Sequence, residues 1–127
     1  MSQFHALVID DNTQNLRVLA QLLNKQGISS TEISDPTSLS AVWDNLERPD
    51  VVFLDLEMPG LDGFRVKDML RTHFEEVPII AYTVHIREIN VVKESGFDGF
   101  LGKPVDNKRF PDQLARILRG ESVWERA

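Results

Sequence analysis

Short apolar runs alternate along this chain with longer segments of helical spacing, and this alternation constrains the fold more than any other feature. Five runs rich in Val, Ile, Leu and Phe are predicted strands: HALVID, ISSTEIS, VVFLD, VPIIAYT and FDGFL. The first, third and fourth are almost continuously apolar, as expected of strands covered on both faces. The second and fifth are weaker, and we expect them toward the sheet edges. The pattern is typical of a parallel sheet flanked by helices.

The segments between these strands carry the signals of amphipathic helices. Apolar residues recur at three- and four-residue spacing, and capping residues or glycines mark the helix ends. The predicted helices are one over 16–23 that Gly27 ends, one from Asp35 through Trp43 and Leu46, one over 64–70 capped by Asp62, one over about 86–95, and one over 110–118. This (βα)₅ pattern predicts an α/β fold with a doubly wound, flavodoxin-like five-stranded parallel sheet in the strand order 2-1-3-4-5.

Length and composition limit the class of protein. A chain of 127 residues with 42% hydrophobic residues suits one globular domain. We expect the folded domain to cover 1–120 and a short C-terminal tail to cover 121–127. Within that tail, Trp124 could either pack back onto the domain or contact a partner.

Charge and cysteine content exclude several functions. The chain has 14 Lys and Arg against 20 Asp and Glu, a formal net charge of −6, so it is not expected to bind nucleic acid by itself. The absence of cysteine excludes disulfides, thiolate zinc sites and thiol nucleophiles. The apolar runs are only strand-sized and the N-terminus lacks a signal-peptide pattern, which predicts a cytoplasmic protein without membrane contact.

Polar side chains gather at the carboxyl ends of the predicted strands. Asp10 and Asp11 follow the first strand, Asp55 the third, Thr83 the fourth and Lys103 the fifth. In this strand order a crevice opens at the carboxyl ends of the first and third strands, so these groups should meet there. A lone aspartate at a strand end often only caps the next helix, but five suitable groups together favour a site.

The chemistry of this group predicts a cation and an anion side by side. Carboxylates that repel each other need a hard divalent cation, and an incomplete set of oxygen ligands suits Mg²⁺ better than Ca²⁺. Lys103 and Thr83 add an amine and a hydroxyl. Together these groups resemble a receptor for a small dianion attached to a carboxylate, with Asp55 as the expected nucleophile.

Four motifs resemble those of a known family. VIDDN at 8–12, FLDLEMPGLDGF at 53–64, AYTVH at 81–85 and FLGKP at 100–104 are similar to the receiver domain of two-component response regulators. The resemblance covers about 4–120 and is closest in type to the stand-alone, chemotaxis-type single-domain form. It implies a phosphoacceptor signalling module in a phosphorelay, with at most self-catalysed phosphorylation and dephosphorylation rather than enzymatic turnover of other substrates.

The resemblance also implies roles for the acidic residues. Asp55 would accept a phosphoryl group from a phosphohistidine of a sensor histidine kinase or a phosphotransfer protein. Asp11 and Asp55 would bind Mg²⁺ directly, Asp10 would do so through water, and the backbone carbonyl of Glu57 would be a further ligand.

A switch is implied in the same way. Lys103 would pair with the phosphoryl oxygens and Thr83 would hydrogen-bond one of them. Phe100 occupies the position of the switch aromatic, which turns inward when the threonine moves toward the phosphate. The Lys103–Pro104 bond falls where the family has a cis peptide. The surface from about 86 to 118 would then bind a downstream protein target, and a phosphorylation-dependent homodimer is left open.

Three residues beside the site could set the lifetime of the phosphorylated state. Val84 stands where the family usually has a small residue, and its methyl groups could narrow access to the phosphoryl group. Glu57 and His85 lie two residues beyond Asp55 and Thr83, beside the path of attacking water. An equally supported interpretation makes Glu57 and His85 ordinary exposed residues of a loop and a helix start.

Several alternatives are weaker but of a different class. A Mg²⁺-dependent phosphatase with an aspartyl nucleophile would usually carry a second aspartate where Glu57 stands. A flavin-binding module would need a hydroxyl- and glycine-rich phosphate loop where the chain has VIDDNTQN. A pseudo-receiver is disfavoured because all five site residues are present. The chain could also be a receiver fragment of a larger multidomain regulator.

Overall fold

Strands and helices alternate along the chain as the apolar pattern predicts. The computed structural model describes residues 4–35, Leu39, 46–58 and 61–125. Its strands are β1 (His5–Ile9), β2 (Ser29–Ile33), β3 (Val51–Asp55), β4 (Glu57–Met58), β5 (Leu61–Asp62), β6 (Ile79–Thr83), β7 (Gly99–Gly102) and β8 (Trp124–Glu125). Its helices are α1 (Thr13–Lys25), α2 (Gly63–His73), α3 (Ile89–Glu94) and α4 (Phe110–Leu118), with a 3₁₀ turn at Ile86–Glu88. The predicted helix from Asp35 through Trp43 and Leu46 falls mostly outside the described residues.

The main sheet is parallel and has the order β2-β1-β3-β6-β7-β8. The five long strands therefore follow the predicted order 2-1-3-4-5, which confirms the doubly wound fold. β8 is a sixth strand, formed by residues 124–125 of the predicted tail. Because it pairs with the outer side of β7, β7 lies one strand in from the edge at which it was expected. The domain boundary at residue 120 stays a prediction.

Two apolar layers lie on opposite faces of this sheet. Alternate residues of a strand point to opposite faces, so Leu7 and Ile9 enter one cluster while Ala6 and Val8 enter the other. Helices α2 and α3 cover the first face, and α1 and α4 cover the second. All residues of β3 and β6 are buried. This two-sided burial explains why their sequences, up to the polar ends Asp55 and Thr83, are apolar without alternation.

The helix ends follow local chemistry. The Asp62 side chain accepts a hydrogen bond from the backbone N–H of Phe64, as predicted for an N-cap. Three glycines follow helices in the left-handed region, at Gly27, Gly96 and Gly120. The predicted fourth helix starts as the 3₁₀ turn and becomes α-helical only at Ile89. In the described part of the chain, every helix is too short or too polar to cross a membrane.

Candidate functional site

Three carboxylates meet where β1 and β3 end. β1 and β3 run side by side in register, with Ile9 opposite Leu54, so the residues that follow these positions reach the same edge of the sheet. Carboxylate oxygens of Asp10, Asp11 and Asp55 all lie within 4.8 Å of one another. Asp10 and Asp55 are buried, whereas Asp11 is exposed. Two such charges about 4 Å apart repel by about 4 kcal/mol at an effective dielectric of about 20, so the cluster needs positive charge.

Lys103 supplies one positive charge from the end of β7. Its Nζ donates a hydrogen bond to Oδ2 of Asp10 at 2.7 Å and lies 3.3 Å from Oδ1 of Asp55. The same Nζ lies 4.7 Å from the ring centroid of Tyr82, and its side chain is 9% exposed. The Lys103 backbone N–H donates to the carbonyl of Thr83, and the Lys103–Pro104 peptide bond is cis. One ammonium against three ionised carboxylates leaves a net charge of −2.

Two pKa values in the pocket are raised, mainly because the groups are buried. Burial, the largest cause, and nearby Asp10 together raise the pKa of Asp55 to about 6, although the Glu57 N–H and Lys103 lower it. The Glu57 N–H donates to Oδ1 of Asp55 at 3.1 Å. Burial, followed by Asp10 and Asp55, raises the pKa of Tyr82 to about 12, so this phenol stays neutral. The pocket therefore favours any added cation.

Helix capping does not account for the acidic residues. The N-cap of α1 is Asn12, whose side chain accepts from the backbone N–H groups of Gln14 and Asn15. Asp10 instead accepts the Asn12 N–H through Oδ1 at 2.9 Å and uses Oδ2 for Lys103. Asp11 keeps an exposed carboxylate beside them.

Thr83 and Phe100 lie on the same face of the neighbouring strands β6 and β7. Ala81 is opposite Phe100 and Thr83 is opposite Gly102, so Thr83 and Phe100 are diagonal neighbours. The Thr83 hydroxyl is buried and accepts the His85 N–H at 3.1 Å. Phe100 is 0% exposed, so in this structure its ring is already inside the domain. The resemblance to receiver domains implies that the Phe100 ring turns inward during switching. In this chain such a movement would start from a ring that is already buried.

The rim of the pocket contains the three residues predicted to set the lifetime. Nε2 of His85 contacts Oε1 of Glu57, and this pair joins β4 to the segment that follows β6. Val84 is 54% exposed beside them. The contact between Glu57 and His85 was not predicted from the sequence, although both residues follow strand ends by two positions. The pairing of Lys103 with Asp10, and the Tyr82 ring beneath the ammonium, were also not predicted.

The family of the chain follows from comparison with known sequences. The profile of the response regulator receiver domain matches residues 6–115, and the chain belongs to this family. It is a receiver domain, which is a phosphoacceptor signalling module of two-component systems. Receiver domains are generally phosphoacceptors rather than classical enzymes, and they generally bind Mg²⁺ at the acidic pocket.

Individual relatives differ in their overall architecture. The histidine-protein kinase BarA of Escherichia coli K12 is 28% identical over 125 residues, which are 94% of this chain and 13% of BarA. The DNA-binding response regulator MtrA of Mycobacterium leprae is 35% identical over 116 residues, 89% of this chain and 50% of MtrA. This chain thus spans half or less of these two relatives. The chemotaxis response regulator CheY4 of Vibrio cholerae has the same fold, with a TM-score of 0.78 at 22% identity over 91% of this chain and 99% of CheY4.

Proposed function

We propose that Asp55 accepts a phosphoryl group from a phosphohistidine of a sensor histidine kinase or a phosphotransfer protein. The observation that carries this proposal is the position of Lys103, whose Nζ lies 3.3 Å from Asp55 within a cluster of three carboxylates. An Asp55 carboxylate oxygen attacks phosphorus, and the new O–P bond forms as the N–P bond of the donor breaks. The electron pair of the broken bond returns to the donor imidazole. Such a transfer needs positioning and charge neutralisation more than covalent help.

The residues around Asp55 divide these tasks. The Lys103 ammonium pairs with the phosphoryl oxygens on one side of Asp55. The Thr83 hydroxyl, at the end of the adjacent strand β6, hydrogen-bonds one of them. Both groups are largely buried, so water competes weakly for these contacts.

A Mg²⁺ site fits the acidic residues. The ligands would be Asp11 and Asp55 directly, Asp10 through water, and the backbone carbonyl of Glu57. All donors are oxygens, the net charge of −2 matches the cation, and the exposed Asp11 leaves one side open for water and phosphate. When bound, the ion would neutralise charge on the phosphoryl oxygens.

The proposed output is a changed surface rather than a chemical product. An aspartyl phosphate adds about two negative charges next to Thr83. Thr83 then moves toward the phosphoryl group and Phe100 follows, which alters the face formed by α3, β7 and α4. This face would bind a downstream protein or a second phosphorylated copy, in the cytoplasm where phosphoryl donors are made. The formal net charge of −6 argues against nucleic acid as a direct partner.

One variant tests the role of the rim. Val84→Ala should speed loss of the phosphoryl group about threefold, because removing two exposed methyl groups opens a path for water. The half-life of the adduct, followed by intact mass after removal of the donor, measures this effect. Val91→Ala removes the same two groups from an equally exposed position on α3 and serves as the control. Equal half-lives for Val84→Ala and wild type would show that Val84 does not affect the rate at which the phosphoryl group is lost.

The phosphoacceptor itself is tested with a small donor. Incubation with acetyl phosphate and MgCl₂ should add one phosphoryl group to the intact protein, and the modified peptide should contain Asp55. The adduct should be absent from Asp55→Ala and retained in Asp68→Ala, which changes an exposed aspartate of α2. Turnover of many phosphate esters without an adduct would instead indicate a phosphatase. A phosphorylated peptide that lacks Asp55 would disprove the assignment.

A further inference from the structure

The chain after α4 returns to the sheet and covers its outer edge. Residues 123–125, named here the C-terminal strap, lie beside β7 with Trp124 opposite Phe100 and Glu125 opposite Leu101. The Phe100 N–H donates to the Val123 carbonyl at 2.7 Å, and Val123 is 1% exposed. The strap thus occupies the edge of the same face, α3-β7-α4, on which the proposed function places its output.

Trp124 attaches the strap on the α3 side. Its side chain packs against the buried cluster that contains Phe100. The Lys93 ammonium of α3 lies 5.2 Å from the centroid of its ring, within the range of a cation–π contact. Because Trp124 and Phe100 are direct neighbours on paired strands, a shift of the Phe100 ring changes the packing of Trp124.

Glu125 attaches the strap on the α4 side. Its carboxylate accepts hydrogen bonds from Arg109 and Arg116, each at 2.5 Å, and from Gln113 at 2.7 Å. The hydrogen bond from Arg116, followed by that from Gln113, holds the pKa of Glu125 below its ordinary value, so the group stays ionised near neutral pH. Two helices of the output face are therefore connected through one short segment.

Gly99 of β7 leaves room for the C-terminal strap because it has no side chain. A Cβ on Gly99 would lie 2.8 Å from the Val123 carbonyl oxygen and 2.8 Å from Cδ1 of Ile80. Any larger residue at this position would force the strap away from β7.

Thr83 and Phe100, the two proposed switch residues, are arranged so that the Phe100 ring can move away from Trp124. Thr83 and Phe100 are diagonal neighbours on one face, and the strand positions beside them, Ala81 and Gly102, carry a methyl group and no side chain. No bulky side chain of β6 or β7 therefore separates Phe100 from Thr83. When Thr83 turns toward a phosphoryl group on Asp55, Phe100 can follow it and lose its packing against Trp124.

We infer that the C-terminal strap is an autoinhibitory element that covers the output face in the unmodified protein and is released when Asp55 is phosphorylated. This inference rests on the proposed function of Asp55. Release uncovers the outer edge of β7 for a partner protein. By linkage, if phosphorylation favours release of the strap by a given factor, release favours the phosphorylated state at equilibrium by the same factor.

Release is measured in the full chain with acetyl phosphate and MgCl₂. The Phe100 amide, which bonds Val123, should exchange with solvent about tenfold faster after phosphorylation, as followed by NMR. The Val52 amide, which bonds the Pro78 carbonyl elsewhere in the sheet, should not change and reports global opening. In a Trp43→Phe background, Trp124 emission should shift to the red.

The same samples separate the two proposals. Absence of a phosphoryl adduct by intact mass would refute the phosphoacceptor role of Asp55. An adduct on Asp55 with unchanged Phe100 exchange and unchanged Trp124 emission would overturn the strap alone.

A charge reversal at Glu125 tests whether detachment of the strap and phosphorylation of Asp55 are linked. Glu125→Arg places a cation against Arg109 and Arg116, so the strap should detach and Phe100 exchange should rise in the unmodified protein. Phosphorylation by acetyl phosphate should then be about fivefold faster, because the released state that phosphorylation favours is more populated. Glu121→Arg, which changes a residue paired with Arg119 outside the strap, should leave both rates unchanged. Detachment in Glu125→Arg without faster phosphorylation would show that the strap is only structural.

Discussion

Replacement of Lys103 with methionine is expected to slow phosphorylation by acetyl phosphate about 100-fold or more. The Lys103 Nζ is the only ammonium that contacts the acidic cluster among the described residues, and it is fixed there by Asp10 at 2.7 Å. Removing one preorganised group that stabilises transition-state charge typically costs about 10²–10³ in rate. Methionine keeps the length of the buried stem, so the loss reports the charge. The initial rate of adduct formation at fixed Mg²⁺ measures it.

Two further variants separate charge at the site from charge in general. Lys108→Met removes an exposed lysine from the same loop and should phosphorylate at the wild-type rate. Lys103→Arg keeps the charge but replaces a compact ammonium with a planar group, so its rate should lie between those of wild type and methionine. Thermal unfolding confirms that each variant is folded at the assay temperature, because Lys103→Met leaves the buried Asp10 without its cation. A methionine variant that is folded and within threefold of the wild-type rate would refute the role of Lys103.

Most of the fold could be predicted because burial on two faces leaves a strong sequence pattern. β1, β3 and β6 are apolar except at their ends, which carry His5, Asp55 and Thr83, whereas α1 has one apolar stripe, so the two patterns are easily distinguished. β8 could not be predicted, since a two-residue strand has no period. Its position depends on the absence of a side chain at Gly99 and on Glu125 reaching three groups near α4, which are properties of the folded structure.

The site could be predicted only to the level of which residues meet. The ends of parallel strands share one edge, so Asp10, Asp55, Thr83 and Lys103 had to lie near one another once the strand order was known. Which partner each side chain contacts depends on which other groups of the folded structure compete for that partner. Asn12 caps α1, so Asp10 is available to accept from Lys103, and Trp124 packs against the cluster that contains Phe100. The contact of Asp10 with Lys103 and the pairing of Phe100 with Trp124 join residues that are far apart in the sequence.

Replacement of Asp55 with asparagine is expected to make the metal-free protein more stable while it abolishes the phosphoryl adduct. The carboxylate of Asp55 is buried near Asp10, and burial raises its pKa to about 6 from an ordinary value of 3.8. Its ionised form therefore destabilises the folded state near neutral pH. Asparagine keeps an oxygen that accepts the Glu57 N–H and removes the charge. We expect a gain of about 1 kcal/mol in the free energy of unfolding at pH 7.5, because solvent on the Asp11 side screens part of the effect.

The pH dependence and the metal dependence of this gain identify its cause. A pKa raised on folding stabilises the wild type below pH 3.8, and this contribution is lost as pH rises through about 6. The difference between Asp55→Asn and wild type should therefore be small at pH 4.5 and reach its full value above pH 7. Urea unfolding in EDTA measures it, with Asp68→Asn as a control at an exposed carboxylate. Added Mg²⁺ should raise the wild-type melting temperature and leave that of Asp55→Asn nearly unchanged, since only a ligand that binds the folded state stabilises it. A gain in Asp55→Asn that is equal at pH 4.5 and pH 7.5 would show that shape or hydrogen bonding, and not the buried charge, is responsible.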